Sequence, residues 1–440
     1  MLRSAAIVTG AVALMVSAAA CGASITPASQ PSAMPSAVLA TSAPALGSSP
    51  VDSESATSAP LSSPVASSPV GSVLPVKPSK PVGSPPADVG FLAQFTQASA
   101  TTWWASVVGN VTDETFVVRT VDGGLSWQDI TPPVSALRSN DDPISDVLSD
   151  QTAWLGAATQ DPDATIPLYR TRDGGQSWQQ VGTLPRDCTP EFVDVSIGWC
   201  YGLQGAMGSM GVEIYRTDDG GLTWTLLSQT TGDGTPGTPD ALLFECDKSL
   251  TFTSQGVGWA SSFCAGGNPY LDISTDGGGH WHSVTSPPFP TWADPSQGEG
   301  LSIPVVDGEN LALVDLGGSV GPGDAAINTS SDAGRSWRVH ALPAPSSGQY
   351  WSVDLIDPTH WRATDGDVIV STDDAGLHWS RWTPAISMRG QGALPLDLDF
   401  VSLEIGSASD AADRTPIWST TDGGKTWTKV VIDAGPYVLQ

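Results

Sequence analysis

Seven aspartates recur along this chain in one setting, Ser/Thr-x-Asp-x-Gly-x-x-Trp. They are Asp122, Asp173, Asp219, Asp276, Asp332, Asp374 and Asp422, each followed five residues later by Trp127, Trp178, Trp224, Trp281, Trp337, Trp379 or Trp427. Carboxylates could do two kinds of chemistry. A pair at about 5–10 Å can serve as acid with base or nucleophile on a glycosidic bond. Several gathered on one centre can hold a hard cation. Both require convergence, and seven equivalent carboxylates, one per repeat, cannot converge on one substrate. The motif instead has the parts of a tight turn. The acid and the hydroxyl can bond backbone groups within it. Glycine supplies positive φ, and the indole can fold back over the turn and bury about 150–250 Å2. Loss of one aspartate would then leave buried donors unpaired, at about 1–3 kcal/mol.

The tryptophans stand 51, 46, 57, 56, 42 and 48 residues apart. A period near 50 suits a four-stranded propeller blade. A β-rich run precedes most motifs, as in "FVDVSIGWCYG" from Phe192, "LTFTSQGVGWASS" from Leu250 and "VLSDQTAWLGAA" from Val147. Short strands flank the motif, such as "VEIYRT" before it and "TKVVI" after it. Trp103, Trp104, Trp154, Trp199, Trp259 and Trp361 fit a packing position on the second strand, which the fifth and seventh units lack. The expected fold is all-β: one seven-bladed propeller of four-stranded blades over residues 89–440, with the motif between the last two strands of each blade.

"RTDDGGLTW" and its relatives resemble Asp-box, or BNR, repeats. Such repeats occur in sialidases, glucan-cleaving hydrolases, sortilin-type receptor ectodomains and photosystem II assembly factors of plant type. The "GW…T.DGG.TW" cadence is most similar to the last group and its bacterial relatives. The resemblance implies a propeller whose boxes sit on the outer rim, away from the central channel. It does not settle function.

A sialidase needs an arginine cluster. Arg119, Arg170 and Arg216 each precede a box threonine, and equivalent positions on neighbouring blades do not share a pocket. The Arg-Ile-Pro motif of sialidases is absent, since "TIPLYRT" at Thr165 lacks the leading arginine. Loop acids Asp141, Asp142, Asp161, Asp163, Asp294 and Glu299 offer no marked pair for a glycosidase. Of His280, His282, His340, His360 and His378, none gives a metal or triad spacing. Trp292, in "PPFPTWADP", is the candidate exposed aromatic of a binding loop.

Residues 1–20 read as a signal peptide, with Arg3 ahead of an apolar stretch too short for a mature span. "VSAAACG" resembles the bacterial lipoprotein cleavage box, which implies a lipid on Cys21; Ala18 stands where leucine is usual, and Ala18-Ala19-Ala20 also fits ordinary cleavage to a soluble product. Residues 21–88 are rich in Ser, Pro and Ala, with no aromatic before Phe91. They read as a disordered tether reaching about 45 Å as a coil and up to about 200 Å in polyproline II. A lipidated Cys21 leaves four cysteines, enough for two disulfides. Cys246 and Cys264 flank a turn at Gln255-Gly256 and could pair across a hairpin, which leaves Cys188 with Cys200 by elimination.

The net charge of −28 opposes nucleic acid and anionic lipid headgroups. The expectation is therefore an exported, membrane-anchored lipoprotein on the outer face of the cell membrane, with no cofactor and a monomeric propeller. It would serve as a non-catalytic binding or assembly scaffold for a protein or an envelope polymer such as a carbohydrate. The alternative is a glycoside hydrolase on the propeller face.

Overall fold

The computed structural model describes residues 73–75, 90–109, 115–133, 144–156, 165–185, 188–205, 210–264, 269–288, 299–315, 326–346, 351–410, 414–434 and 438–439. Within these, seven antiparallel four-stranded blades follow one another along the chain, each of four consecutive strands, and Val73–Pro75 and Glu299–Gly300 add a fifth strand to the sheets of the second and fourth. Blade 1 is Gly90–Gln97, Trp103–Gly109, Thr115–Thr120 and Gln128–Asp129. Blade 2 is Ile144–Val147, Ala153–Gly156, Ile166–Thr171 and Ser177–Leu184. Blade 3 is Thr189–Phe192, Gly198–Gly205, Met210–Thr217 and Thr225–Gln229. Blade 4 is Asp247–Phe252, Gly258–Cys264, Leu271–Ser274 and His282–Ser283. Blade 5 is Val305–Asp307, Asn310–Asp315, Ala326–Ser330 and Arg338–Ala341. Blade 6 is Ser352–Leu355, Trp361–Thr364, Ile369–Thr372 and Ser380–Trp382. Blade 7 is Asp397–Phe400, Gly406–Ser409, Ile417–Thr420 and Thr428–Val430. The chain is a seven-bladed β-propeller.

Each sheet is apolar on both faces because each face meets a neighbouring blade. Side chains alternate along a strand, so adjacent residues pack into opposite interfaces. Trp199 is fully buried against Leu250, Phe252 and Ala260 of blade 4. Its ring stacks on Phe252 with centroids 4.4 Å apart and planes 1° apart. Trp154 stacks likewise on Phe192 of blade 3, at 3.7 Å and 5°. Trp103 and Trp361 depart from the single packing position expected of the six core tryptophans. Trp199 lies opposite Glu191 of its first strand, whereas Trp361 lies opposite Leu355 and Trp103 opposite Gln97. That register is one residue earlier, which flips the ring to the other face. Trp361 therefore packs on Ala312 and Ile327 of blade 5, and Trp103 on Ile417 of blade 7.

The ring closes between blades 7 and 1. Leu92, Trp103, Val107 and Val118 of blade 1 share a core with Ile417 and Val430 of blade 7 and with Ile432, Ala434 and Leu439 beyond it. Ile432–Asp433 and Val438–Leu439 form a small hairpin of their own. Closure reuses an interblade bond found elsewhere in the ring. Trp127 Nε1 donates to Val431 O at 2.8 Å, Trp178 Nε1 to Ile130 O at 2.7 Å, and Trp337 Nε1 to Thr285 O at 2.6 Å. In each, the motif indole holds the carbonyl just beyond the last strand of the preceding blade.

Cys188–Cys200 and Cys246–Cys264 are disulfide-bonded, the pairing expected from the hairpin argument. Two disulfides belong to an oxidising, extracytoplasmic compartment. Among the described residues no helix is long and apolar enough to cross a membrane. Val73–Pro75, inside the segment expected to be an unstructured tether, is a strand on the outer edge of blade 2. The leader, Cys21, the rest of residues 21–88 and Trp292 lie outside the described residues.

Candidate functional site

Two sets of carboxylates occupy different radii of the wheel. The outer set is the repeated motif. All seven copies lie between the third and fourth strands of their blades and share one bonding scheme. In blade 3, Thr217 Oγ1 donates to Asp219 Oδ1 at 2.8 Å and accepts from the N–H of Gly221 at 2.9 Å. The Thr223 N–H donates to Asp219 Oδ1 at 2.9 Å and its hydroxyl to Oδ2 at 2.6 Å. The hydroxyl-to-carboxylate bond recurs in every copy at 2.7–2.9 Å. In blades 4 and 6 a histidine takes the place of the second hydroxyl, with His280 Nδ1 and His378 Nδ1 each 2.6 Å from the carboxylate.

The backbone of the motif needs its second glycine. Gly175 has φ +84°, and a Cβ there would lie 2.6 Å from Ile130 of blade 1. Ala333 and Ala375 stand at the first glycine position in blades 5 and 6, at φ 56°, while Gly334 and Gly376 keep the second. The turn is also tied to the first turn of its own blade. Gly123, Gly174 and Gly220 donate their N–H groups to Thr101 O, Gln151 O and Ser196 O at 2.7–2.9 Å, and blades 5, 6 and 7 repeat the bond.

The expected burial of each ring over its own turn, and of the donors that the aspartate serves, needs correction. The hydroxyls are the buried partners, with Thr120, Thr171 and Thr217 each 1 % exposed, while the carboxylates are half-buried or exposed. Trp178, Trp224 and Trp281 are buried, and Trp127, Trp337, Trp379 and Trp427 half-buried. Only Trp281 and Trp427 bond back to their own motif, at Gly278 O and Gly424 O, among the described contacts. Hydrogen bonds from Ser126 and Ser336 hold Asp122 and Asp332 at a pKa of about 2, and bonds from His378 do the same for Asp374. These groups are ionised acceptors fixed within turns.

The arginines ahead of the motif serve the ring rather than a pocket. Arg119 Nη2 donates to Asp150 O of blade 2 at 2.7 Å, and Arg170 Nη1 to Val195 O of blade 3 at 3.4 Å. Arg216 bonds Asp218 at 2.7 Å and lies over the Trp199 ring. Arg119 and Arg170 each strap their blade to the next, while these contacts of Arg216 stay within blade 3.

The inner set was not found by sequence reasoning. Asp146, Glu191, Asp354 and Asp399 stand on first strands, which border the middle of the wheel. Each of three reaches the first strand of the next blade. The N–H of Phe192 donates to Asp146 Oδ2 at 2.6 Å, that of Phe400 to Asp354 Oδ2 at 2.9 Å, and Thr251 Oγ1 to Glu191 Oε1 at 2.8 Å. The Phe252 N–H also bonds Glu191. An innermost strand has an open edge, and these acids satisfy some of its donors. Burial, with nearby Asp146, pushes Glu191 up to about 7; bonds from Thr251 and Phe252 oppose it. Burial, then Asp399, raises Asp354 well above the carboxylate range. Burial likewise raises Asp397 and Asp399. A sequence signal existed: Asp146 and Glu191 each lie eight residues before the core tryptophans Trp154 and Trp199.

These shifts fix a pH dependence. Glu191 starts at 4.5 when unfolded and lies near 7 when folded, so the folded state holds more protons between those values. Stability is therefore expected to fall as pH rises from about 4.5 through 7. The motif carboxylates act oppositely, losing their contribution as pH falls from 3.8 towards 2. Thermal unfolding midpoints should rise from pH 8 to 5 and drop below pH 3.5. Glu191→Gln should flatten the neutral-range slope; an unchanged slope would remove Glu191 as its source.

Among the described residues no group of three or more His, Cys, Asp or Glu side chains could hold a metal ion. A small pocket open to solvent lies between blades 1 and 2, lined by Gln94, Thr96, Trp104, Ser106, Trp154 and other residues, none of them acidic.

No family model matches the chain, and no curated protein matches it. Solved structures do. "YCF48 bound to D1 peptide" is 16% identical, covering 82% of this chain and 100% of its own, at TM-score 0.45. YCF48 from Cyanidioschyzon merolae is 15% identical over 77% of this chain and 95% of its own, at TM-score 0.42. A prolyl endopeptidase is 11% identical over 79% of this chain and 51% of its own, at TM-score 0.50. At these identities the likeness is one of fold.

Proposed function

We propose that this protein is an exported, lipid-anchored propeller that binds a protein or envelope polymer without catalysing a reaction. The observation carrying this reading is that all seven motif carboxylates bond their own turns, so the most abundant acid signature of the chain is architecture. Arg119 and Arg170 likewise serve the ring, each strapping its blade to the next. The remaining specificity lies on loops carried by a rigid ring. Cys21 carries the lipid, and residues 22–72 hold the propeller away from the membrane. Photo-crosslinking in intact cells, with the crosslinker placed on loops opposite the motif turns, should capture a defined species. Mass spectrometry of the mature N-terminus should find a lipidated Cys21, and an unmodified cysteine would end the anchor claim.

One observation favours a second reading, a glycoside hydrolase. Glu191 titrates near 7 beside Asp146, and a raised carboxylic acid near a second carboxylate is the pattern of an acid–base pair. Turnover on a polysaccharide panel that vanishes in Glu191→Gln, with the fold retained, would establish that reading.

A further inference from the structure

The fourth strands of six blades are short, from two to five residues. Blade 2 is different: its fourth strand, Ser177–Leu184, has eight residues. It is also the only blade, among the described residues, whose motif serine and tryptophan belong to the strand itself. Gln179 to Leu184 pair with Ile166–Arg170 of the third strand, and the first residues of the strand have a second partner. Val73–Pro75 lies antiparallel along it, with Val73 opposite Gln179, Leu74 opposite Trp178 and Pro75 opposite Ser177.

An outermost strand presents a row of unpaired N–H and C=O groups that can template another strand. Here the chain supplies that strand from its own linker. The pairing is three residues long, and Pro75 has no N–H to give. Pro78 and Pro81 follow closely, so few donors are available to extend it. So short a ladder would be weak between separate molecules. A linker held to blade 1 through residues 76–89 raises the local concentration of the segment to about the millimolar range. Weak pairing held in place by proximity can be exchanged.

We propose that the outer edge of blade 2 is a strand-addition site for extended polypeptide, with Val73–Pro75 as its resident and exchangeable occupant. An incoming protein segment would displace the strap and take its backbone hydrogen bonds. Displacement would also release residues 73–75 from the edge of blade 2. The inference deepens the reading of the propeller as a protein-binding scaffold, but its test reads the edge directly, so the site can fail while that reading stands.

The test is amide hydrogen exchange on the full chain and on a variant carrying Val73→Pro and Leu74→Pro. Successive N–H groups of a strand point to opposite sides, so the two prolines remove whichever donor faces blade 2. The Ser177 N–H is held by Asp173 Oδ1 at 2.9 Å, so by the same alternation the amide facing the strap is that of Trp178; its exchange should quicken at least about tenfold in the variant, with the other six blades unchanged. A synthetic peptide of residues 70–78, added to the variant at millimolar concentration, should restore protection, and the same peptide with both prolines should not. Unchanged exchange in the variant would overturn the strap. Quickened exchange that no peptide reverses would overturn the site. Loss of protection on diluting the unaltered chain would place the strap on a second copy and overturn its occupancy in cis.

Discussion

Replacing Ile432 and Leu439 together by alanine should open the ring. Both side chains are buried, at 1 % and 6 % exposure, in the core that joins blade 7 to blade 1. Each truncation of a buried Ile or Leu costs about 2–5 kcal/mol. Together they would remove about 4–10 kcal/mol, against total stabilities of about 5–15 kcal/mol for a folded domain. The two lie on paired strands of one hairpin, so the sum can depart from additivity. Among the described residues no sheet joins the strands of blade 1 to those of blade 7. Closure therefore rests on this apolar cluster and on the bond from Trp127 to Val431 O. Urea unfolding should show a much lower midpoint. A loss below about 1 kcal/mol would mean that closure lies elsewhere.

Trp199→Ala should have the second largest effect. Trp199 is fully buried, stacks on Phe252 and donates from Nε1 to Gly277 O at 2.8 Å. It therefore ties blade 3 both to the first strand of blade 4 and to its motif turn. Truncating a buried tryptophan costs about 3–5 kcal/mol, and the carbonyl of Gly277 loses a donor as well. Phe252→Ala should couple to it: in a double-mutant cycle the pair should interact by about 0.5–1.5 kcal/mol beyond its area. Independent effects would show that the stack is incidental. Trp154, bonded to Gly220 O and stacked on Phe192, repeats the arrangement one blade earlier, so Trp154→Ala should behave alike.

The spacing of Asp122 to Trp427 made blade number, strand order and the position of the motif legible, because a repeat exposes itself through its period. The Cys246–Cys264 hairpin was legible for a similar local reason, a turn centred between two cysteines. What was not legible is contact between blades. Nothing within "TTDGGKTW" says where its indole will reach, and Trp127, Trp178 and Trp337 reach the preceding blade. Likewise a shift of one residue sends Trp361 and Trp199 into opposite interfaces, although both looked like one core position. Asp146, Glu191 and Asp354 were passed over because a lone acid in a short apolar strand carries meaning only once the next blade supplies its donors. The segment Val73–Pro75 was hidden by composition. Its Ser/Pro surroundings speak for disorder, and only the edge of blade 2 gives it a partner.

The central claim is that the repeated aspartates hold turns and bear no chemistry. Asp219→Ala tests it most directly, since Asp219 accepts from Thr217, Leu222 and Thr223. The measurement is the unfolding free energy of the variant beside its capture of partner, or its turnover of any substrate found, per folded molecule. A loss of about 1–3 kcal/mol with undiminished binding is expected. Full stability with abolished binding or turnover would contradict the account.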